Sequence, residues 1–154
     1  MDTKLKVVIG CDHAAVDMKN NIINELRSKG YEVTDVGTYT NDSCDYPVIA
    51  RQVCQKIQDG SHERGILICG TGIGMSMAAN KHRGIRAACC SETYSAELTR
   101  LHNNANVLCF GARVVGLGTA LQLVETFLTT DYEGGRHQRR VDLVHEIEKE
   151  EYKK

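Results

Sequence analysis

Short runs of β-branched and aliphatic residues alternate five times with amphipathic segments of helical length, and this rhythm limits what the chain can fold into. Residues 6–10 read as a buried strand, and residues 14–29 follow as a helix. Val16, Met18, Ile22, Ile23 and Leu26 lie on its apolar side, and Gly30 stops it. Residues 32–37 form a second strand, and a polar loop over 38–46 leads into a helix opening at Pro47, a favoured first helical position. A third strand spans 65–69, with a helix starting near Ile73, where Met75, Met77 and Ala78 are expected in the core. A fourth strand covers 85–88 with a helix over 92–102, and a fifth covers 106–110 with a helix over 116–128. The tail, 136–150, is an amphipathic helix with Val141, Val144 and Ile147 on one face.

Strands that alternate with helices through short connections must run parallel, joined by right-handed crossovers. The expected fold is therefore a Rossmann-like, doubly wound α/β domain. It has a five-stranded parallel sheet, three α/β/α layers and an extra C-terminal helix. A chain of 154 residues fits one such domain over 1–154. The last helix has no strand of its own and is expected to pack on a partner subunit. Ligands of open parallel sheets bind beyond the carboxyl ends of the strands, where the strand order reverses. That selects the loops at Cys11-Asp12-His13, at 69–74 and at Gly111-Ala112-Arg113.

A formal net charge of −1 argues against a nucleic-acid or membrane-surface footprint. The first residues carry no signal-peptide apolar core and no apolar run reaches spanning length, so a cytoplasmic location is expected. Seven cysteines, mostly inside apolar runs and without a CxxC pair, read first as reduced, buried small hydrophobes.

The strongest chemical signal is Cys69-Gly70-Thr71-Gly72-Ile73-Gly74, directly after a buried strand and opening a helix. Glycines let the backbone approach a ligand, and successive free N–H groups form an anion-binding concavity. The spacing does not fit a GxGxxG dinucleotide fingerprint, whereas a tight structural turn remains an alternative. A thiol at a helix N-terminus gains thiolate character. Beside N–H donors Cys69 can take a proton from carbon while the donors hold the resulting enediolate. It can also act as a nucleophile, although no histidine at a recognisable spacing supports acyl chemistry. Thr71 can relay a proton between adjacent substrate oxygens, or simply cap the helix. Asp12-His13 can cap the next helix or, through His13, donate to a phosphate or hydroxyl. His102 can be a helix C-cap, and Tyr46 a packing residue or a substrate donor. Arg136 and Arg140, at i and i+4, would share a helix face and clamp one phosphate, or form a solvated basic turn.

These motifs together resemble the ribose-5-phosphate isomerase B family, which also contains the galactose-6-phosphate isomerase subunits. The resemblance covers essentially the whole chain. It is carried by Gly10-Cys11-Asp12-His13, Asp45-Tyr46-Pro47, ICGTGIGMSMAAN over 68–80, Gly84-Ile85-Arg86-Ala87 and Ser95-Ala96-Glu97. Further along it rests on Arg100-Leu101-His102-Asn103, Asn106-Val107-Leu108, Gly111-Ala112-Arg113 and Tyr132-Glu133-Gly134-Gly135-Arg136-His137. It implies interconversion of ribose 5-phosphate and ribulose 5-phosphate through an enediolate, a step of the pentose phosphate pathway, with no cofactor and no metal. By resemblance Cys69 is the base, Thr71 assists, and His102 opens the furanose ring. The N–H groups of Gly70, Thr71, Gly72, Ile73 and Gly74 hold the enediolate. Asp12, His13, Tyr46 and Asn103 line the sugar, and His13, Arg113, Arg136 and Arg140 bind phosphate. One branch of the family uses a glutamate where this chain has Met75, which leaves Cys69 as the base.

A non-catalytic sugar-phosphate sensor and a thiol redox protein are the competing classes. Pure binding needs no carbon base, and the missing CxxC disfavours redox. Within the isomerase reading, allose or galactose 6-phosphate competes with the pentose. The enzyme is expected to be a homodimer or a dimer of dimers. A helix over 92–102 starts on the Cys69 edge and runs back about 15 Å. His102 should therefore end near the opposite edge and serve the site of a neighbouring chain.

Overall fold

A computed structural model describes residues 4–153, so Met1, Asp2 and Thr3 of the polar N-terminal stretch noted above lie outside the described residues. Five parallel strands form one sheet: β1 (Lys6–Cys11), β2 (Glu32–Asp35), β3 (Arg64–Cys69), β4 (Ala87–Cys89) and β5 (Val107–Gly111). Their order is β2-β1-β3-β5-β4, every pairing is parallel, and the direction of winding reverses between β1 and β3 and again at β4. The helices are α1 (Val16–Ser28), α2 (Tyr46–Gln58), α3 (Ile73–Ala79), α4 (Thr93–Leu101), α5 (Leu117–Thr129) and α6 (Gln138–Glu151).

Right-handed crossovers put α1, α4 and α5 on one face and α2 and α3 on the other, and the core divides in the same way. Ile9, Ile66, Ile68, Leu108 and Phe110 meet Ile22, Leu26, Leu123 and Phe127, whereas Val8, Leu67, Val107 and Cys109 meet Ile49, Val53 and Met75. Both faces of the sheet are covered, which is why the strands read as continuous apolar runs and not as alternating ones. Each such side chain contributes about 1.5–3 kcal/mol on burial.

The elements follow the sequence reading with shifts at their ends. The fourth strand begins at Ala87 because Ile85 is drawn into the α2/α3 core. Arg86 finds its N–H partner in the Asn106 side chain at 2.8 Å. Met75 is fully buried as expected, but Met77 is 65% exposed, so its place in the core is corrected: the seven residues of α3 give it only one buried side. The tail opens with a 3-10 turn at Gly135–His137 before α6, so Arg136 precedes the helix that carries Arg140. Of the apolar face of α6, Val141 is buried while Val144 and Ile147 are exposed.

Lys19 lies on the apolar side of α1 and is fully buried. Its ammonium donates to both carboxylate oxygens of Asp35, at 2.7 and 2.8 Å, and to the Thr38 carbonyl at 2.8 Å, so all three N–H bonds are used. This pair pins the start of the loop that carries Cys44 and Asp45 over the end of β1.

Candidate active site

The carboxyl ends of β1, β3 and β5 meet because their register is continuous: Ile68 pairs with Cys11, and Cys69 with Gly111. The Asp12 N–H donates to the Ile68 carbonyl at 3.0 Å, and the Ala112 and Arg113 N–H groups donate to the Cys69 and Gly70 carbonyls at 2.8 and 3.1 Å. Three loops far apart in sequence are thereby tied into one rim.

On that rim the Cys69 side chain is 5% exposed, and its Sγ accepts the Gly72 N–H at 3.1 Å. That bond aims a backbone donor at the sulfur from within the glycine turn. Gly72 has φ of +81°, and a Cβ there would lie 2.7 Å from the Phe110 backbone, so the turn that delivers this N–H admits only glycine. The Thr71 hydroxyl accepts the Ile73 N–H at 3.3 Å, while Gly72 itself occupies the N-cap position of α3. With only two turns, α3 supplies local N–H donors more than a long macrodipole.

Around the thiol stand further residues singled out in the sequence. The Arg113 guanidinium lies over Gly70, and the Tyr46 ring lies against Gly74, where a Cβ would be 2.7 Å from the ring. The Asp12 carboxylate accepts the Ala14 N–H at 2.9 Å, closing the turn before α1, and His13 Nδ1 accepts the Cys44 N–H at 3.4 Å. Both anchor loops at the carboxyl end of β1. Asp12, His13, Tyr46, Cys69 to Gly74 and Arg113 thus come together.

His102, Asn103, Arg136 and Arg140 do not join them within the chain. His102 is the C-cap of α4, its N–H donating to the Leu98 carbonyl at 2.9 Å. It lies just ahead of Val107, the first residue of β5, whereas Cys69 pairs with Gly111, the last. Four strand residues span about 13 Å, so the two groups sit at opposite edges of the sheet. Asn103 and Arg140 border a groove of about 860 Å³ between α6 and the β4 edge, lined also by Ala88, Val144 and Ile147.

The His102 turn is held firmly. Asn104 has φ of +48°, and the Arg86 guanidinium donates to the Asn103 carbonyl at 3.1 Å and to the Asn104 carbonyl at 2.7 Å. Arg100, 2% exposed, donates to Asn104 Oδ1 at 2.9 Å and to the Thr130 carbonyl at 3.2 Å. Burial first, and Arg64 and Arg86 next, bring Arg100 down to about 10. The His102 ring stacks on His137, centroids 4.1 Å apart at 17°, with Glu133 beside both.

His102, Glu133 and His137 are the one set among the described residues whose side-chain donors gather within 4.8 Å. Near-parallel rings send their lone pairs out side by side in the ring planes, which does not converge on one point as tetrahedral metal coordination requires. The sequence reading assigned no role to Glu133, His137, Arg86 or Lys19. A lysine on an apolar helix stripe was the signal available for Lys19, and the Tyr132 to His137 motif for the first two.

Burial removes four thiols from chemistry: it pushes Cys11 and Cys54 up to about 12, Cys90 to about 11, and raises Cys109 as well, whereas Cys89, also raised, is exposed. All seven cysteines are free, and no helix of the described residues is long and apolar enough to cross a membrane.

An open, doubly wound α/β sheet with a thiol and a glycine cradle beyond its switch point defines the class: a small-ligand domain of the Rossmann-like kind with an anion-binding loop. The sequence model of the Ribose/Galactose Isomerase family matches residues 7–144, and the chain belongs to that family. Ribose-5-phosphate isomerase B of Escherichia coli K12 is 51% identical over 143 residues, 93% of this chain and 96% of the relative. D-erythrulose-4-phosphate isomerase of Pectobacterium atrosepticum is 45% identical over 148 residues, 96% and 97% of the two chains. Ribose-5-phosphate isomerase B from Mycoplasma genitalium with bound ribulose-5-phosphate superposes with a TM-score of 0.91 at 42% identity, covering 94% and 97% of the two chains.

Proposed function

We propose that this protein interconverts ribose 5-phosphate and ribulose 5-phosphate by proton transfer at Cys69. The observation that carries the proposal is the Gly72 N–H on the Cys69 sulfur, at the mouth of a glycine cradle. The family membership and the relatives that bear this activity in their names support the same reading. His102 gives a proton to the ring oxygen as the C1–O bond breaks, and the anomeric hydroxyl releases its proton to form the aldehyde. The Cys69 thiolate then takes the C2 proton. The C2–H electrons become the C1–C2 double bond of an enediolate, whose oxygens accept N–H bonds from residues 70–74. Thr71 moves a proton between the two oxygens, and Cys69 returns its proton to C1. Asp12, His13, Tyr46 and Asn103 hold the sugar, and Arg113, Arg136 and Arg140 with His13 hold the phosphate.

The whole chain acts as one domain, and two copies complete each site. The separation of His102, Asn103, Arg136 and Arg140 from the Cys69 rim supports this, as does the half-covered apolar face of α6. No metal takes part in this scheme, because backbone donors supply the positive potential. The working form is a cytoplasmic homodimer or a dimer of such dimers.

A second substrate reading has a specific support, since a relative at 45% identity is named for a four-carbon sugar phosphate. Chain length is set by the distance between the cradle and the phosphate arginines. A coupled assay comparing ribose 5-phosphate with erythrose, allose and galactose phosphates, with and without chelator, tests both points. Preference for ribose 5-phosphate unaffected by chelation is expected. Preference for another sugar, or chelator-sensitive turnover restored by a divalent ion, would overturn the corresponding part.

A further inference from the structure

The segment Tyr132 to His137 makes a tight reversal against the end of α4. The Glu133 N–H donates to the Leu101 carbonyl at 3.1 Å, and the His137 N–H donates to the Gly134 carbonyl at 3.0 Å. Gly134 takes φ of +65°, a conformation that side chains rarely adopt, and it folds residues 133 and 137 back onto the same place. That place is His102. The Glu133 carboxylate lies 3.4 Å from His137 Nε2 and 4.0 Å from His102 Nε2. His137 is 6% exposed, and its Nε2 has no hydrogen-bond partner among the described residues apart from this approach. The His102 side chain is 36% exposed and is the member of the stack that can reach a ligand.

We propose that Glu133 is a positioning residue for His102: with His137 as the buried wall behind the ring, it holds the imidazole in place and aims His102 at the sugar ring. The inference rests on the ring-opening role of His102 proposed above. It assigns a task to a carboxylate that touches neither the thiol nor the cradle.

The substrate pair itself separates this role from a structural one. Ribose 5-phosphate closes a ring through O4 onto C1 and must be opened. Ribulose 5-phosphate stays open, because its O5 carries the phosphate. With enough enzyme present that ring opening in water is the slower step, a variant defective only in ring opening therefore loses turnover of the aldose and keeps turnover of the ketose, whose open-chain product closes in water. Glu133→Gln preserves shape and removes the charge at a side chain that is 55% exposed. Its consumption of ribose 5-phosphate should fall by about tenfold, a fraction of the roughly 100-fold that a general acid supplies. Its consumption of ribulose 5-phosphate should stay within about threefold of the wild type. His137→Asn should show the same asymmetry, with thermal unfolding measured on both variants to confirm the fold. Equal loss in both directions, or none, would overturn the role of Glu133. His102→Ala is the control. If it slows both directions alike, the ring-opening reading falls and the inference with it. If it is asymmetric while Glu133→Gln is not, only the inference falls.

Discussion

Cys69 and His102 stand at opposite edges of one sheet: Cys69 is the register partner of Gly111, where β5 ends, and His102 lies in the turn just before Val107, where β5 begins. No rotation of either side chain spans the length of β5, about 13 Å, that lies between them. Two copies related by a twofold axis can do so, because a contact between the Cys69 end of one subunit and the His102 end of its partner is then repeated reciprocally, completing both sites.

Subunit mixing tests this arrangement. Refolding Cys69→Ala and His102→Ala chains together in equal amounts should give mixed dimers in which one site carries both lesions and the other neither. About a quarter of wild-type activity is expected to return, as independent assortment gives half the dimers mixed with one intact site each. No recovery after confirmed exchange would place both residues in one chain.

Loss of the base should appear in turnover and not in affinity. Cys69→Ala is expected to lower kcat by at least ~100-fold, the lower range for acid–base catalysis, with KM nearly unchanged. Steady-state kinetics on purified, folded variant settle the point, and near-normal kcat would reject Cys69 as the base.

The phosphate assignment predicts a selective effect. Arg136→Ala and Arg140→Ala should each weaken ribose 5-phosphate binding by about 1.5–3 kcal/mol, the range for a charged hydrogen bond. Ribose without phosphate should be unaffected. Equal weakening for both sugars, read by calorimetry, would give these arginines a structural task.

Buried thiols outside the Cys69 loop should stay unreactive until the pH nears their raised values. A thiol whose pKa is raised carries little thiolate until the pH approaches that value, so Cys11 and Cys54, held near 12, and Cys90, near 11, stay protonated at ordinary pH. Peptide mapping after iodoacetamide treatment below about pH 9 should find these three and Cys109 unlabelled in the native protein. Cys69 should be labelled, and ribose 5-phosphate should protect it. Native Cys11 or Cys54 reacting as fast as exposed Cys89 would contradict this order.

The buried pair under the β1 loop should matter for stability. Lys19→Met strands Asp35 and the Thr38 carbonyl, and it is expected to cost about 3 kcal/mol, as for breaking one side of a buried ion pair. Urea unfolding measures the shift, and a loss below about 1 kcal/mol would show that water replaces the ammonium freely.

Much of this protein is decided locally. Five apolar strand runs, each followed by a helix-period segment, dictate parallel pairing and both-face coverage, because crossovers have one hand and backbone groups must be paired. The Cys69 loop was legible for the same reason, since alternating glycines directly after a strand mark a turn where the backbone can approach closely. Tertiary structure decided what depends on register and on distant packing. The order β2-β1-β3-β5-β4 brings Cys11, Cys69 and Gly111 to one rim, and no local pattern encodes which strands become neighbours. Met77 turned outward because a two-turn α3 has only one side against the sheet. The Lys19–Asp35 pair and the gathering of Glu133 and His137 around His102 each join residues from separate elements. Sequence spacing governs neighbours within a helix or strand, whereas a carboxylate is aimed at an imidazole only once the turns between elements have closed.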